Sequence, residues 1–230
     1  KIQSADMDGD GDLDLLIGNC GLNTQFHVNE KEPMTITYKD FDNNGSVDPI
    51  LCYFINGVSF PAASRDDLTD QLPLLKKKFL EYNQYANATL DDIYSAEERK
   101  DAGVLKAETM ETVYLENQGA KGFVRGTLPI QAQYAPVYGI VMEDMDKDGK
   151  KDLLLAGNNT WTRIKYGRYL ANHGVLLKGD GKGGFQYIPQ SESGLKLRGN
   201  VRSLQLIKSG SSNKVIVGMN DDNTQIISIK

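Results

Sequence analysis

Cysteine is nearly missing from this chain: Cys20 and Cys52 are the only two in 230 residues. Two cannot form a disulfide framework, although a chain of this length can bury a sizeable core without one. They read as two separate thiols, Cys20 at the end of one expected strand and Cys52 within another; a bridge between neighbouring β units is the other arrangement open to them. Histidine is as scarce. His27 and His173 stand alone, with no His-rich metal set, no Ser-His-Asp order and no phosphate-cradling loop around them. No stretch approaches about 18 consecutive apolar residues, so no transmembrane helix is expected. No signal peptide is visible. Lys and Arg nowhere cluster with interleaved aromatics, which argues against nucleic acid as a partner. The triple Lys76-Lys77-Lys78 falls in a helical pattern and reads as a solvated face.

Aspartate, by contrast, is concentrated. Residues 6–14, DMDGDGDLD, hold five aspartates and two glycines in nine positions. Carboxylates packed this densely repel one another, so the run is either a solvated acidic loop or a cation cage. Spacing separates the two. Oxygen donors on alternate residues, with a glycine allowing a sharp turn after the third, form the pattern of a calcium loop. The pattern occurs three times, at Asp6, Asp8, Asp10, Gly11 and Asp14, at Asp40, Asp42, Asn44, Gly45 and Asp48, and at Asp144, Asp146, Asp148, Gly149 and Asp152. The seventh position is Asp12, Ser46 or Lys150, a variation that suits a ligand supplied by the backbone carbonyl. These fifteen positions, Asp12, Ser46 and Lys150 included and the glycines aside, are the candidate metal-binding residues, and three Ca2+ ions are the expected cofactor. Only hard oxygens are offered, which disfavours zinc and copper. Three divalent ions would move the formal charge from −5 to +1, so the acidity reports the metal sites more than the chemistry of a partner.

An EF-hand would need a glutamate at position twelve and a helix on each side. Position twelve here is Ile17, Leu51 or Leu155. The residues after each ninth-position aspartate, LLIG, PILCYF and LLLAG, are short apolar runs that read as buried strands. Each loop therefore joins two strands. A fourth copy without carboxylates is visible as SLQLIKSGSSNKVIVGMN, residues 203–220, in which KSGSSN replaces the cage. Repetition of this kind points to an all-β repeat array.

The stretches ADMDGDGDLDLLIGN and MEDMDKDGKKDLLLAGN resemble the FG-GAP/VCBS repeats of integrin-type β-propellers and their bacterial relatives. LLKGDGKGGFQYIP and LENQGAKGFVRGTLP resemble the hairpin that commonly follows such a loop. The likeness extends over the chain outside its middle and is to large secreted repeat proteins of Bacteroidetes, grouped with cartilage acidic protein and UnbV-like sequences. It implies a calcium-bearing β-propeller, or part of one, on the extracellular side, at a cell surface or in a periplasm. It names no ligand. On this reading residues 1–230 form one propeller-like domain. Because KIQSAD opens inside the strand that feeds the first loop, the chain is expected to be a C-terminal fragment of a longer secreted protein.

The interval from the second loop to the third is far too long for one β unit, and residues 64–103 explain it. A capping-box-like Ser64…Asp67 opens a helical stretch. Leu75, Phe79, Tyr82 and Ala86 follow at helical spacing, Pro73 limits the first helix, and two further helical turns end at Gly103. The segment reads as a helical insertion, either capping the β framework or carrying a function of its own, whose deletion is expected to leave a folded β domain. Residues 157–174 hold Trp161, Arg163, Tyr166, Arg168 and Tyr169, a set suited either to recognition of a sugar or peptide or to packing between β units; the family likeness implies a structural role for Arg168 and Asn172. Glycosylation sequons stand at Asn87, Asn158 and Asn44. A glycan on Asn44 would abolish its cage, which fits a source that does not use the sequon, such as a bacterium. The function expected is non-catalytic binding or scaffolding of a protein or glycan. A polysaccharide-processing enzyme or accessory propeller is the alternative, but it would need a pair of carboxylates free of metal, and nothing singles out such a pair.

Overall fold

Each aspartate loop ends in an apolar run, and in the computed structural model, which describes residues 1–209 and 212–228, each run is a strand that begins at the ninth-position aspartate. β1 (Ile2–Ala5) and β2 (Asp14–Ile17) flank the first loop. The chain then builds a separate sheet. β3 (Met34–Lys39) and β4 (Asp48–Ile55) flank the second loop, and β5 (Val58–Pro61) returns beside β4. Helices α1 (Arg65–Gln71), α2 (Tyr82–Ala86) and α3 (Leu90–Ile93) follow, with a 3-10 turn over Pro73–Lys77. β6 (Gly103–Ala107) closes the sheet against β3, in the order β5-β4-β3-β6.

The first sheet is then completed by β7 (Val113–Asn117) and β8 (Phe123–Gly126), giving β1-β2-β7-β8. β9 (Val137–Glu143), β10 (Asp152–Gly157), β11 (Val175–Gly179) and β12 (Phe185–Ile188) form a four-stranded antiparallel meander whose first hairpin carries the third loop. After a short helix α4 (Gln190–Ser193), β13 (Val201–Ser209), β14 (Ser212–Met219) and β15 (Gln225–Ser228) make a three-stranded sheet. Among the described residues there are fifteen strands in four antiparallel sheets with few helices, a mostly β protein as expected. The hairpin of the carboxylate-free copy is present as β13 and β14, paired out to Ser209 and Ser212; residues 210 and 211 of its KSGSSN loop lie outside the described residues.

Two compact units result. One is Phe26–Met110; the other joins Lys1–Gln25 to Glu111–Lys230. In the larger unit the β9–β12 sheet is covered on both faces. Side chains alternate sides along a strand, so Leu153 and Leu155 of β10 pack with Met7, Leu16 and Tyr114 of the first sheet. Leu154 and Ala156 pack on the other side with Val201, Leu204, Val215 and Val217 of the β13–β15 sheet. β10 is buried at all six positions. The chain also passes too close to itself for a side chain at Gly157, where an added Cβ would stand 1.6 Å from the Pro136 carbonyl oxygen.

The smaller unit corrects the expectation for residues 64–103. The segment is helical, and the capping box of Ser64 with Asp67 is present. It caps the β framework, one of the two arrangements open to it, and does so as part of the core. Leu68, Leu72, Leu75, Phe79, Ala88, Ile93 and Tyr94 form one cluster with Ile50 and Cys52 of β4, so the helices supply most of the core that covers this sheet. The continuous helical spacing through Tyr82 and Ala86 also fails. Pro73 breaks the run into short pieces, and both residues end up exposed. Gly103 opens β6 rather than closing a helix.

Candidate metal loops

The three loops share one backbone design, built from aspartate and asparagine side chains that accept hydrogen bonds from the main chain ahead of them. The fifth-position N–H donates to the third-position side chain: Asp10 to Asp8, Asn44 to Asp42 and Asp148 to Asp146, each at 3.2 Å. The seventh-position N–H donates to the fifth: Asp12 to Asp10 at 3.0 Å, Ser46 to Asn44 at 2.8 Å and Lys150 to Asp148 at 2.9 Å. The sixth-position glycine donates to the first aspartate, Gly11 to Asp6 at 3.2 Å and Gly45 to Asp40 and Gly149 to Asp144 at 2.9 Å. Those glycines have φ of 97°, 87° and 86°, the left-handed region that glycine enters without penalty. An added Cβ there would meet nothing within 4 Å, so the requirement is conformational and not one of space.

This winding brings oxygens together. One carboxylate oxygen from each of Asp6, Asp8 and Asp10 lies within 4.8 Å of the others, and the same holds for Asp144, Asp146 and Asp148 and for Asp40, Asp42 and Asp48. The ninth-position aspartates have a further task. Asp14, Asp48 and Asp152 are buried, and each accepts from the second-position N–H: Met7 at 2.9 Å, Phe41 at 3.0 Å and Met145 at 3.0 Å. The other oxygen of Asp14 accepts from Asn117 N–H at 2.8 Å, and that of Asp152 from Gly179 N–H at 3.0 Å. Tyr114 also donates its hydroxyl to Asp14 at 3.0 Å. In the first and third loops the ninth aspartate thus ties the loop to the third strand of its sheet. Among the expected ligands, Asp14 and Asp152 stand outside the tight triads, whereas Asp48 belongs to one. Asp12 too is outside the triad of its loop, and Asp12, Asn44, Ser46 and Lys150 take part in the ladder through their main-chain N–H groups.

The donor set suits a hard divalent cation: several carboxylates, an amide oxygen and nothing softer. Two further observations agree. Oδ1 of Asp12 is buried without a hydrogen-bond partner. In the third loop a cationic group already lies among the carboxylates. The Lys178 ammonium, from β11, hydrogen-bonds Asp146 and stands 3.1 Å from Asp148, with the Lys150 ammonium 3.9 Å from Asp148.

Electrostatics differ accordingly between loops. In the first, burial and the charges of Asp10, Asp14 and Glu116 push the Asp8 carboxyl up, and burial with Asp10, Asp14 and Asp8 does the same to Asp12. In the third, the Lys150 N–H and then Lys178 hold the Asp148 carboxyl down. Neither Glu116 nor Lys178 is marked in the sequence as part of a loop. Each directly precedes the residue, Asn117 or Gly179, whose N–H meets the ninth aspartate, a placement that strand register supplies and the sequence does not.

Elsewhere, both cysteines are free, Cys20 exposed and Cys52 buried; burial pushes the Cys52 thiol up to about 11. Asn172 is structural, since its N–H and carbonyl bond the side chain of buried Asn158 and its own side chain accepts from Gly174. The Asn158 sequon therefore has no room for a glycan. Trp161, Arg163 and Arg168 are exposed and do not pack between sheets, while Tyr169 pairs its hydroxyl with Thr24 at 2.9 Å. The glycines of GDGKGGF form a hairpin turn, closed by Asp180 N–H on the Gly184 carbonyl at 3.0 Å. No helix among the described residues is long and apolar enough to cross a membrane. Comparison with protein-family models, with curated proteins and with solved structures returns no match for this chain.

Proposed function

We propose that the three loops are structural calcium sites of an extracellular, non-catalytic binding module. The observation that carries this reading is the threefold recurrence of one hydrogen-bond ladder, with the same oxygen donors at the same positions, on three different hairpins. Solvated acidic loops have no reason to share a winding. Calcium fits better than magnesium, because the loops offer many protein oxygens in a flexible arrangement and magnesium keeps a tight, water-rich octahedron. A β-propeller, or part of one, is the architecture we infer. It is supported by three antiparallel sheets stacked face to face in the larger unit, two of which open with an aspartate-loop hairpin. Asp-rich cages of modest affinity suit a compartment rich in calcium, at a cell surface or in a periplasm. The partner is a protein or a glycan.

Calorimetric titration of the metal-stripped chain tests the metal assignment. Calcium is expected to bind with Kd of about 10⁻⁴ to 10⁻³ M, and Asp8→Ala, Asp42→Ala and Asp146→Ala are each expected to remove one loop's contribution. Metal–oxygen distances of about 2.3–2.6 Å would accompany it, against about 2.1 Å for magnesium. Absence of calcium binding, or equal binding of magnesium, would overturn the assignment. A glycan array scored both for binding and for product release tests the non-catalytic role.

A further inference from the structure

Loops one and three are the same device on the same kind of hairpin, and they differ in charge at two places: at the seventh position, Asp12 against Lys150, whose ammonium stands 3.9 Å from Asp148, and on the third strand beside the loop. In the first sheet Leu15 pairs with Leu115, and in the third-loop sheet Leu153 pairs with Leu177. Asp14 meets the N–H of Asn117, and Asp152 meets that of Gly179. These two anchors put Glu116 and Lys178 at one and the same place, the third-strand residue that stands beside the cage. The first loop has a carboxylate there and the third has an ammonium. The second loop has neither, because β5 ends at Pro61, opposite Cys52, before it reaches the loop.

The contrast is already felt by the aspartates. Lys178 hydrogen-bonds the third-position Asp146 and lies 3.1 Å from the fifth-position Asp148, the two donors that a cation in this loop would need. Glu116 instead adds a negative charge to the field at Asp8. A lysine head is a compact point charge on a flexible stem. It can sit among carboxylates when no metal is present and swing away when one arrives. Its presence lowers the net negative charge of the cage, and calcium affinity in oxygen cages follows ligand charge.

We propose that Lys178 is a tethered counter-ion of the third loop, which competes with the divalent cation and makes this loop the weakest of the three sites, while Glu116 strengthens the first. The proposal rests on the calcium reading of the loops. It gives the molecule a graded response: the third loop keeps its winding in low calcium, with the ammonium neutralising Asp146 and Asp148, and fills only at high calcium. The first loop, with no ion-paired cation among the described residues and an extra acid beside it, depends on the metal.

The test is a calcium titration of the full chain followed by amide NMR, because Gly11, Gly45 and Gly149 each donate to the first aspartate of a different loop and so report the loops separately. In the parent, the Gly149 midpoint is expected to lie about tenfold or more above that of Gly11, in line with tuning by charge count. Lys178→Met is expected to lower the Gly149 midpoint by about tenfold and leave that of Gly11 unmoved, and Lys178→Glu to lower it further. In chelator, Lys178→Met is expected to melt below the parent, since the third loop has lost its counter-ion. A Gly149 midpoint that stays put in both variants while Gly11 and Gly149 titrate in the parent would overturn the proposal and leave the calcium reading intact. If no glycine moves at calcium concentrations of about 10 mM, well above the range of extracellular sites, the calcium reading fails and the proposal with it.

Discussion

Asp14 accepts three hydrogen bonds, from the N–H groups of Met7 and Asn117 and from the Tyr114 hydroxyl, in a position with no solvent exposure. A buried carboxylate so held acts as a joint between loop and sheet, whatever it also lends to a metal. Removing it leaves three donors in the interior without partners, each worth about 1–3 kcal/mol of desolvation. Asp14→Ala is accordingly expected to destabilise the larger unit by about 3 kcal/mol or more in urea unfolding, with calcium or with chelator. Asp8→Ala, at a cage position, is expected to destabilise in calcium and to be neutral or stabilising in chelator, where it removes one repelling charge. An equal response of the two variants to calcium would show that the ninth aspartate is a ligand and no more. At this scale the ladder of each loop was legible because its bonds are local: an aspartate or asparagine side chain reaching a main-chain N–H two to five residues on depends only on the order of residues. Lys178 was not legible. It reaches Asp146 across 32 residues, and only strand register brings the two together.

Helices α1 to α3 show the same division at the scale of elements. The start of α1 was written in short-range code, Ser64 with Asp67, now seen as a reciprocal capping box; α3 opens with a second such box, Thr89 with Asp92, that the sequence reading did not single out. What the helices do was not. Leu68, Leu72 and Leu75 fall within a segment that reads as an insertion, yet they cover Ile50 and Cys52 of β4, whose inward face would otherwise be bare. Spacing says that a side chain faces inward without saying which surface it will meet. Leu72, almost fully buried, is the residue to truncate. Leu72→Ala is expected to destabilise the Phe26–Met110 unit by about 2–5 kcal/mol, read by hydrogen exchange of the β3 and β4 amides. Unchanged protection there would mean that the helices are peripheral after all.

For the whole molecule, the aspartate loops concentrate twelve of the 31 acidic residues, and a protein of charge −5 gains relief from that repulsion when cations fill them. The all-β class followed from short apolar runs ended by glycine or a polar residue. Division into two units did not, because the chain leaves the first sheet after β2 and returns to it only at β7, a detour that no local pattern announces. Calcium bound only by the folded state stabilises by RT ln(1 + [L]/Kd). At roughly millimolar calcium and Kd of about 10⁻⁴ to 10⁻³ M, each filled loop adds about 0.4–1.4 kcal/mol, and the two stronger loops together about 1–3 kcal/mol, a sizeable part of a marginal stability. The most direct test is therefore a thermal melt of the metal-stripped chain in chelator and again in millimolar calcium, with magnesium as the control. The expected result is a melting temperature raised by several degrees in calcium and little changed in magnesium. An identical melting temperature with and without calcium, the metal having been shown to be gone in chelator, would contradict the claim that these loops are structural calcium sites.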